Sequence, residues 1–174
     1  MNLQVVGCSH NLANVETRER LAFPESKVPV FLKSFYDHFP EAEAVLLSTC
    51  NRTEFYAASK DKAALPSSTQ MVQLLADQSG VGSSEIEDQL FTYLDQDAIK
   101  HLFSVTASMD SMVVGETQIL SQVKRAYEIA TQSHGSISTI HKVFQTRFEL
   151  PSGLVTKPNC TVTGLACQVL RFVI

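Results

Sequence analysis

Two short apolar runs with almost nothing between them constrain this chain more than any other feature. Ala44-Val45-Leu46-Leu47-Ser48 and Thr53-Glu54-Phe55-Tyr56-Ala57-Ala58 both read as strands, joined only by Thr49-Cys50-Asn51-Arg52. Parallel neighbours need a dozen or more connecting residues, so these two runs are expected to pair antiparallel. Leu3 to Gly7 reads as a first strand and Leu90 to Leu94 as a last one. Between them, Val28, Phe31, Leu32, Phe35 and Phe39 fall near helical spacing, with Pro29 suited to a first turn. A second helix is expected from about Ser67 to Gln78, capped by a serine.

The order strand-helix-strand-strand-helix-strand predicts an α+β fold with a ferredoxin-like antiparallel sheet. A helical subdomain follows from about residue 95. Asp95 or Asp97 is expected to cap a helix running to about Ser108. Ile119, Leu120, Val123, Ala126, Tyr127 and Ala130 form one stripe of a helix over Thr117 to Gln132, and a further helix fits Ser138 to about Phe148.

Length allows one domain, or one with a short appendage, and 44% hydrophobic residues suffice for an ordinary core. No apolar run is long enough to span a bilayer, and the N-terminus lacks the layout of a secretion signal. The four cysteines include no CxxC pair, which points to reduced thiols in a cytoplasmic protein and against a metal site. The net charge of −4 is unusual for a partner of nucleic acid. Arg18 with Arg20, Lys60 with Lys62, and Lys124 with Arg125 are small basic clusters that read as ordinary solvated faces before they read as a tRNA site.

Cys50 sits at the polar exit of a strand, where a rigid element can aim a thiol. Arg52, two residues on, could favour the thiolate, the nucleophilic form. A buried, inert cysteine is the plainer reading. The run Thr-Cys-Asn-Arg-Thr-Glu is poor packing material and favours catalysis. Cys8, at the end of the first strand, reads as core. His10 reads as surface or capping, and His38, His134 and His141 as exposed helix residues. Nothing is assigned to Cys160 or Cys167.

Ser48 to Tyr56, reading STCNRTEFY, resembles the signature of glutamyl-tRNA reductase. Val5-Val6-Gly7-Cys8-Ser9-His10, leading to Glu16-Thr17-Arg18-Glu19-Arg20-Leu21-Ala22-Phe23, is similar to that family's first strand and "RE.L.F" turn. Asp97 to Phe103 is similar to the helix carrying its important histidine, here His101. Ser108 to Leu120 resembles its "LDS.V.GE.QI" loop. The match covers residues 1–146 as a catalytic domain, divided near residue 95. From Arg147 onward only four residues are charged, against 28 before it, and Pro151, Gly153, Pro158 and Gly164 break any long helix. This tail, 147–174, departs from the family's basic helix; a shifted reading frame, a truncated end and a diverged segment all fit it.

The resemblance implies an NADPH-dependent enzyme of tetrapyrrole biosynthesis. Cys50 attacks the ester of glutamyl-tRNA and keeps glutamate as a thioester; NADPH then reduces the thioester to glutamate-1-semialdehyde. His101 would assist the leaving hydroxyl or orient the ester, although periodicity alone describes a half-buried, satisfied histidine. Arg52 would hold the substrate's γ-carboxylate, lower the thiol pKa, or form a surface ion pair with Glu54. Thr49, Asn51, Ser111, Glu116, Thr117, Gln118 and Gln122 carry over as substrate-binding positions, the two glutamines sharing a helix face. Capping by Glu116 and solvent exposure of the glutamines are the alternatives.

The seven glycines never form GxGxxG after a strand, so the NADPH site is expected in a domain absent from this chain. Glutamyl-tRNA is the expected partner, with a homodimer for the full-length protein and the downstream aminomutase as a further contact. Two rivals stand beside this reading: a non-catalytic module of the same fold that binds tRNA or a regulatory partner, and a cysteine hydrolase for another acyl group.

Overall fold

The computed structural model describes residues 2–108, 118–134 and 138–149. Four strands, β1 (Asn2–Ser9), β2 (Glu43–Ser48), β3 (Arg52–Ser59) and β4 (Phe91–Leu94), form one antiparallel sheet in the order β2-β3-β1-β4. This is the expected ferredoxin-like arrangement, and β2 and β3 form the expected hairpin. The helices are α1 (Val15–Arg20), α2 (Val28–His38), α3 (Ser68–Ser79), α4 (Ser83–Ile86), α5 (Asp95–Thr106), α6 (Gln118–His134) and α7 (Ser138–Glu149).

Every residue of β3 is buried, as is every residue of β1 except the first. The central strands are therefore covered on both faces, and adjacent residues of β3 anchor opposite layers. Phe55 meets Phe31 and Phe35 of α2 edge-on, with ring centroids 4.8 and 5.3 Å away. Tyr56 meets Phe144 of α7 edge-on at 5.7 Å. The second layer is built by the helices after residue 95, and the apolar core runs unbroken from Leu3 and Val45 to Leu102, Val123 and Phe144.

Local signals explain most helix ends. Ser67 caps α3 in a reciprocal box with Gln70, and Gly80 ends that helix at φ 68, a conformation that favours glycine. Pro29 lies in the first turn of α2. α1 was not foreseen: VETRER carries no apolar stripe, and its start is fixed by Asn14, whose Oδ1 accepts the Thr17 amide at 2.8 Å.

The cap of α5 also differs from expectation. Leu94 occupies the N-cap, while Asp95, at φ 45, turns its Oδ1 to the Leu3 amide of β1 at 3.1 Å. Neither Asp95 nor Asp97 makes a capping bond, because Asp95 serves a strand distant in sequence.

The last helix is pinned at both ends. Glu43 of β2 accepts the amides of Thr139, at 2.8 Å, and Ile140, at 2.7 Å, placing a carboxylate at the positive end of α7. At the other end Arg147, 1% exposed, donates to the hydroxyl and carbonyl of Thr106 at the end of α5. α7 runs through Glu149, close to the expected end near Phe148; residues 150–174 lie outside the described residues.

Gly7 of β1 pairs with Glu54 of β3 at the centre of the sheet. A Cβ there would lie 2.5 Å from the Thr53 carbonyl oxygen and 2.9 Å from the Glu54 Cα, both backbone atoms that cannot swing aside. Gly7→Ala is therefore expected to destabilise the domain by about 2 kcal/mol or more, measured by urea unfolding. An unchanged midpoint would show that the two strands part freely.

Candidate active site

The turn between β2 and β3 is built by its own side chains. The Thr49 amide donates to the Arg52 carbonyl at 2.8 Å, and Thr49 Oγ1 accepts the amides of Asn51 and Arg52 at 3.3 and 3.2 Å. Next to it, the His10 amide donates to the Asn51 carbonyl at 3.0 Å, tying the turn to the end of β1. Cys50 is left exposed at the tip.

The segment after α1 clamps the base of this hairpin. The Phe23 amide donates to Ser48 Oγ at 2.8 Å, and Thr53 Oγ1 donates to the Leu21 carbonyl at 3.0 Å. Arg18 Nη1 reaches Asn51 Oδ1 at 3.4 Å. The arginine, leucine and phenylalanine of the "RE.L.F" pattern thus all serve the thiol turn.

Thr49, Cys50, Asn51, Arg52, Gln118, Ile119 and Gln122 line one recess of about 70 Å³. Six residues singled out from the sequence converge there: the four of the turn and both glutamines of α6. Ser111, Glu116 and Thr117 lie outside the described residues. His101 does not line this recess. It borders a neighbouring cleft, with Ser9, Phe91 and Tyr93, and is linked to Arg52 of the thiol turn through Glu54.

Glu54 is the residue that sequence reasoning undervalued. It is completely buried and accepts three hydrogen bonds: from Arg52 Nη1 at 2.7 Å, His101 Nε2 at 2.9 Å and the Tyr56 hydroxyl at 2.6 Å. The Arg52–Glu54 ion pair does form, but inside the protein and not on its surface, with side chains 2% and 0% exposed. The polar run after Cys50 is accordingly packed, because the helices beyond residue 95 cover it. A signal was present: Arg52, Glu54 and Tyr56 alternate along a strand and so share one face.

Burial alone would push the Glu54 carboxyl up. Its interactions with the His101 ring and the Arg52 guanidinium outweigh burial, with the Tyr56 hydroxyl adding a hydrogen bond, and hold it at about 2 against an ordinary 4.5. Burial raises the Cys8 thiol, and Cys8 is fully enclosed, as expected of a core cysteine.

The described residues do not fit a dinucleotide. Their glycines are Gly7, Gly80 and Gly82. Gly7 is filled against Glu54, and the other two flank the turn between α3 and α4, so none opens a helix directly after a strand. Among the described residues no three His, Cys, Asp or Glu side chains gather as a metal site, and no helix is long and apolar enough to cross a membrane.

A carboxyl depressed in the folded state contributes stability that is complete above pH 4.5 and is lost as the pH falls toward 2. Glu54→Gln leaves Arg52 buried without its counter-charge and is expected to cost about 3 kcal/mol at neutral pH. The variant's unfolding free energy should also vary less than the wild type's between those two pH values. Parallel pH curves for the two proteins would refute the assignment.

Comparison with known proteins agrees with this geometry. The family model described as "Glutamyl-tRNAGlu reductase, N-terminal domain" matches residues 6–154. A glutamyl-tRNA reductase of Rhodopirellula baltica is 43% identical over 145 residues, covering 83% of this chain and 34% of that protein. One of Shewanella piezotolerans is 35% identical over 172 residues, covering 99% of this chain and 39% of that protein. The solved glutamyl-tRNA reductase from Methanopyrus kandleri superposes with a TM-score of 0.64 at 26% identity, over 98% of this chain and 34% of that one. The chain thus spans between a third and two fifths of these relatives. Matched over most of its length, it belongs to the glutamyl-tRNA reductase family, as a member of its N-terminal domain.

Proposed function

We propose that this domain performs the acyl-capture half of glutamyl-tRNA reduction. The observation that carries the reading is Cys50 itself: an exposed thiol on a turn held by backbone bonds, at the mouth of a recess lined by polar side chains. In this reading the Cys50 thiolate attacks the ester carbonyl carbon of glutamyl-tRNA. The ester C–O bond breaks, the terminal ribose hydroxyl leaves with a proton, and glutamate stays on sulfur as a thioester. Covalent capture divides one difficult reduction into two easier steps.

Arg52 takes the substrate's γ-carboxylate. Arg52 lines the recess, and a planar guanidinium suits a carboxylate through a two-pronged fork. Glu54 supplies the compensating charge, and Arg52 therefore acts through the direction of its donors more than through its field. Thr49, Asn51, Gln118 and Gln122 offer short polar contacts to the α-amino group and the ester. Ser111, Glu116 and Thr117 are assigned to the same substrate on resemblance. His101, fixed by Glu54 and bordering the adjoining cleft, passes a proton to the ribose oxygen as the ester C–O bond breaks, so that it departs as the hydroxyl.

The reduction belongs to NADPH, in tetrapyrrole biosynthesis in the cytoplasm. The described residues do not fit that cofactor, so no hydride step is assigned to them.

Incubation with glutamyl-tRNA should give a glutamyl adduct on Cys50 in peptide mass maps. Cys50→Ser should abolish it, by roughly 10³-fold or more in rate. Absence of the adduct, or equal labelling from other aminoacyl-tRNAs, would favour a binding module or a general hydrolase. NADPH added to these 174 residues should yield no semialdehyde, and robust turnover would overturn the division of labour.

A further inference from the structure

Asn51, next to the thiol, has its polar groups almost fully committed. Its amide donates to Thr49 Oγ1 at 3.3 Å, and its carbonyl accepts the His10 amide at 3.0 Å. Its side-chain oxygen accepts from Arg18 Nη1 at 3.4 Å. A guanidinium has donors and no acceptor, so the atom turned to Arg18 must be the oxygen of the Asn51 side chain. That leaves the Nδ2 amine, with two hydrogens and no hydrogen bond among the described residues, on a residue that lines the thiol recess.

Arg18 is committed to this contact. Among the described residues, the Asn51 oxygen is the one hydrogen-bond partner of its side chain. The residue is half-buried, and its Nε is enclosed without an acceptor, a state that native proteins seldom leave unexplained. The short helix that carries it is fixed at both ends. Asn14 caps the start of α1, and the Leu21 carbonyl, just past its end, accepts Thr53 Oγ1 of the hairpin.

We infer that Arg18 is a positioning residue: it turns the Asn51 amine toward the attacked carbonyl, where that amine steadies the oxyanion of the tetrahedral intermediate. The inference rests on the acyl-capture reading above. As the Cys50 sulfur bonds to the ester carbon, the C=O π pair moves onto oxygen, and Asn51 Nδ2 donates to it. The pair returns when the C–O bond to ribose breaks and the ribose oxygen departs with a proton. A donor fixed beforehand needs no reorganisation when the charge appears. With the amide reversed, Asn51 would set an oxygen against the oxyanion. The guanidinium excludes that orientation, so Arg18 acts only through Asn51.

The test compares two reactions of the same sulfur at one pH on the 174-residue chain. One is acylation by an ester, either glutamyl-tRNA or 4-nitrophenyl acetate; the other is alkylation by iodoacetamide, which forms no oxyanion. Peptide mass maps assign each label to Cys50, and the ratio of the two rates cancels the thiolate fraction. Asn51→Ala should lower the ratio about 10²-fold, the usual cost of losing one oxyanion donor. Arg18→Met, which keeps the length and removes the donors, should lower it about tenfold. Arg18→Lys, which still donates and cannot accept, should recover most of that loss. Should Arg18→Met label Cys8, which the native fold encloses, Arg18→Gln takes its place. A ratio that stays constant without the guanidinium, even if both rates fall together, overturns the assignment, as does a loss that lysine fails to recover. A wild type that shows this pattern with 4-nitrophenyl acetate yet ignores glutamyl-tRNA strikes the acyl-capture reading and leaves the role of Arg18 standing.

Discussion

A carboxylate with no access to water organises the working end of this domain. Burying an ionised Glu54 is tolerable only because a guanidinium, an imidazole and a phenol all donate to it. Those three donors come from both ends of the architecture. Arg52 and Tyr56 stand two residues either side of it on β3, and His101 arrives from α5. The same carboxylate therefore joins the sheet to the layer that covers it. It also orients the guanidinium beside the thiol and the imidazole beside the adjoining cleft. The bare backbone at Gly7 is part of this arrangement, since any side chain there would drive β1 away from β3.

How much of this was legible varies with the range of the interactions. The hairpin, the central strands, the serine cap of α3 and the long helices were readable because each is set by neighbours in sequence. Asp95 misled because its partner is the Leu3 amide, reached only after the sheet has formed. α1 escaped because it has no apolar stripe; Asn14 starts it, and the bonds of Leu21 and Phe23 to the hairpin hold the chain that follows.

At the site, Thr49 to Arg52 and the two glutamines could be named from motifs. The role of Glu54 could not, because a charged residue on a strand looks solvent-facing until helices more than forty residues later close over it. His101 was recognisable, yet its route to the thiol is indirect and only coordinates reveal the intermediary. The "RE.L.F" pattern was seen as a family mark; its physical meaning, a clamp on the base of the thiol turn, came from the hydrogen bonds.

The contrast between Phe55 and Tyr56 has one last consequence. Successive residues of β3 face different layers: Phe55 meets a cluster of rings on α2, while Tyr56 meets both the Glu54 carboxylate and the Phe144 ring of α7. Misalignment of β3 by a single step would turn the Glu54 carboxylate and the Arg52 guanidinium toward the rings of α2 and take both away from His101. The buried ion cluster thereby proofreads the fold: a sheet assembled out of step strands its charges in hydrocarbon, and the aligned one lets every partner of Glu54 reach it.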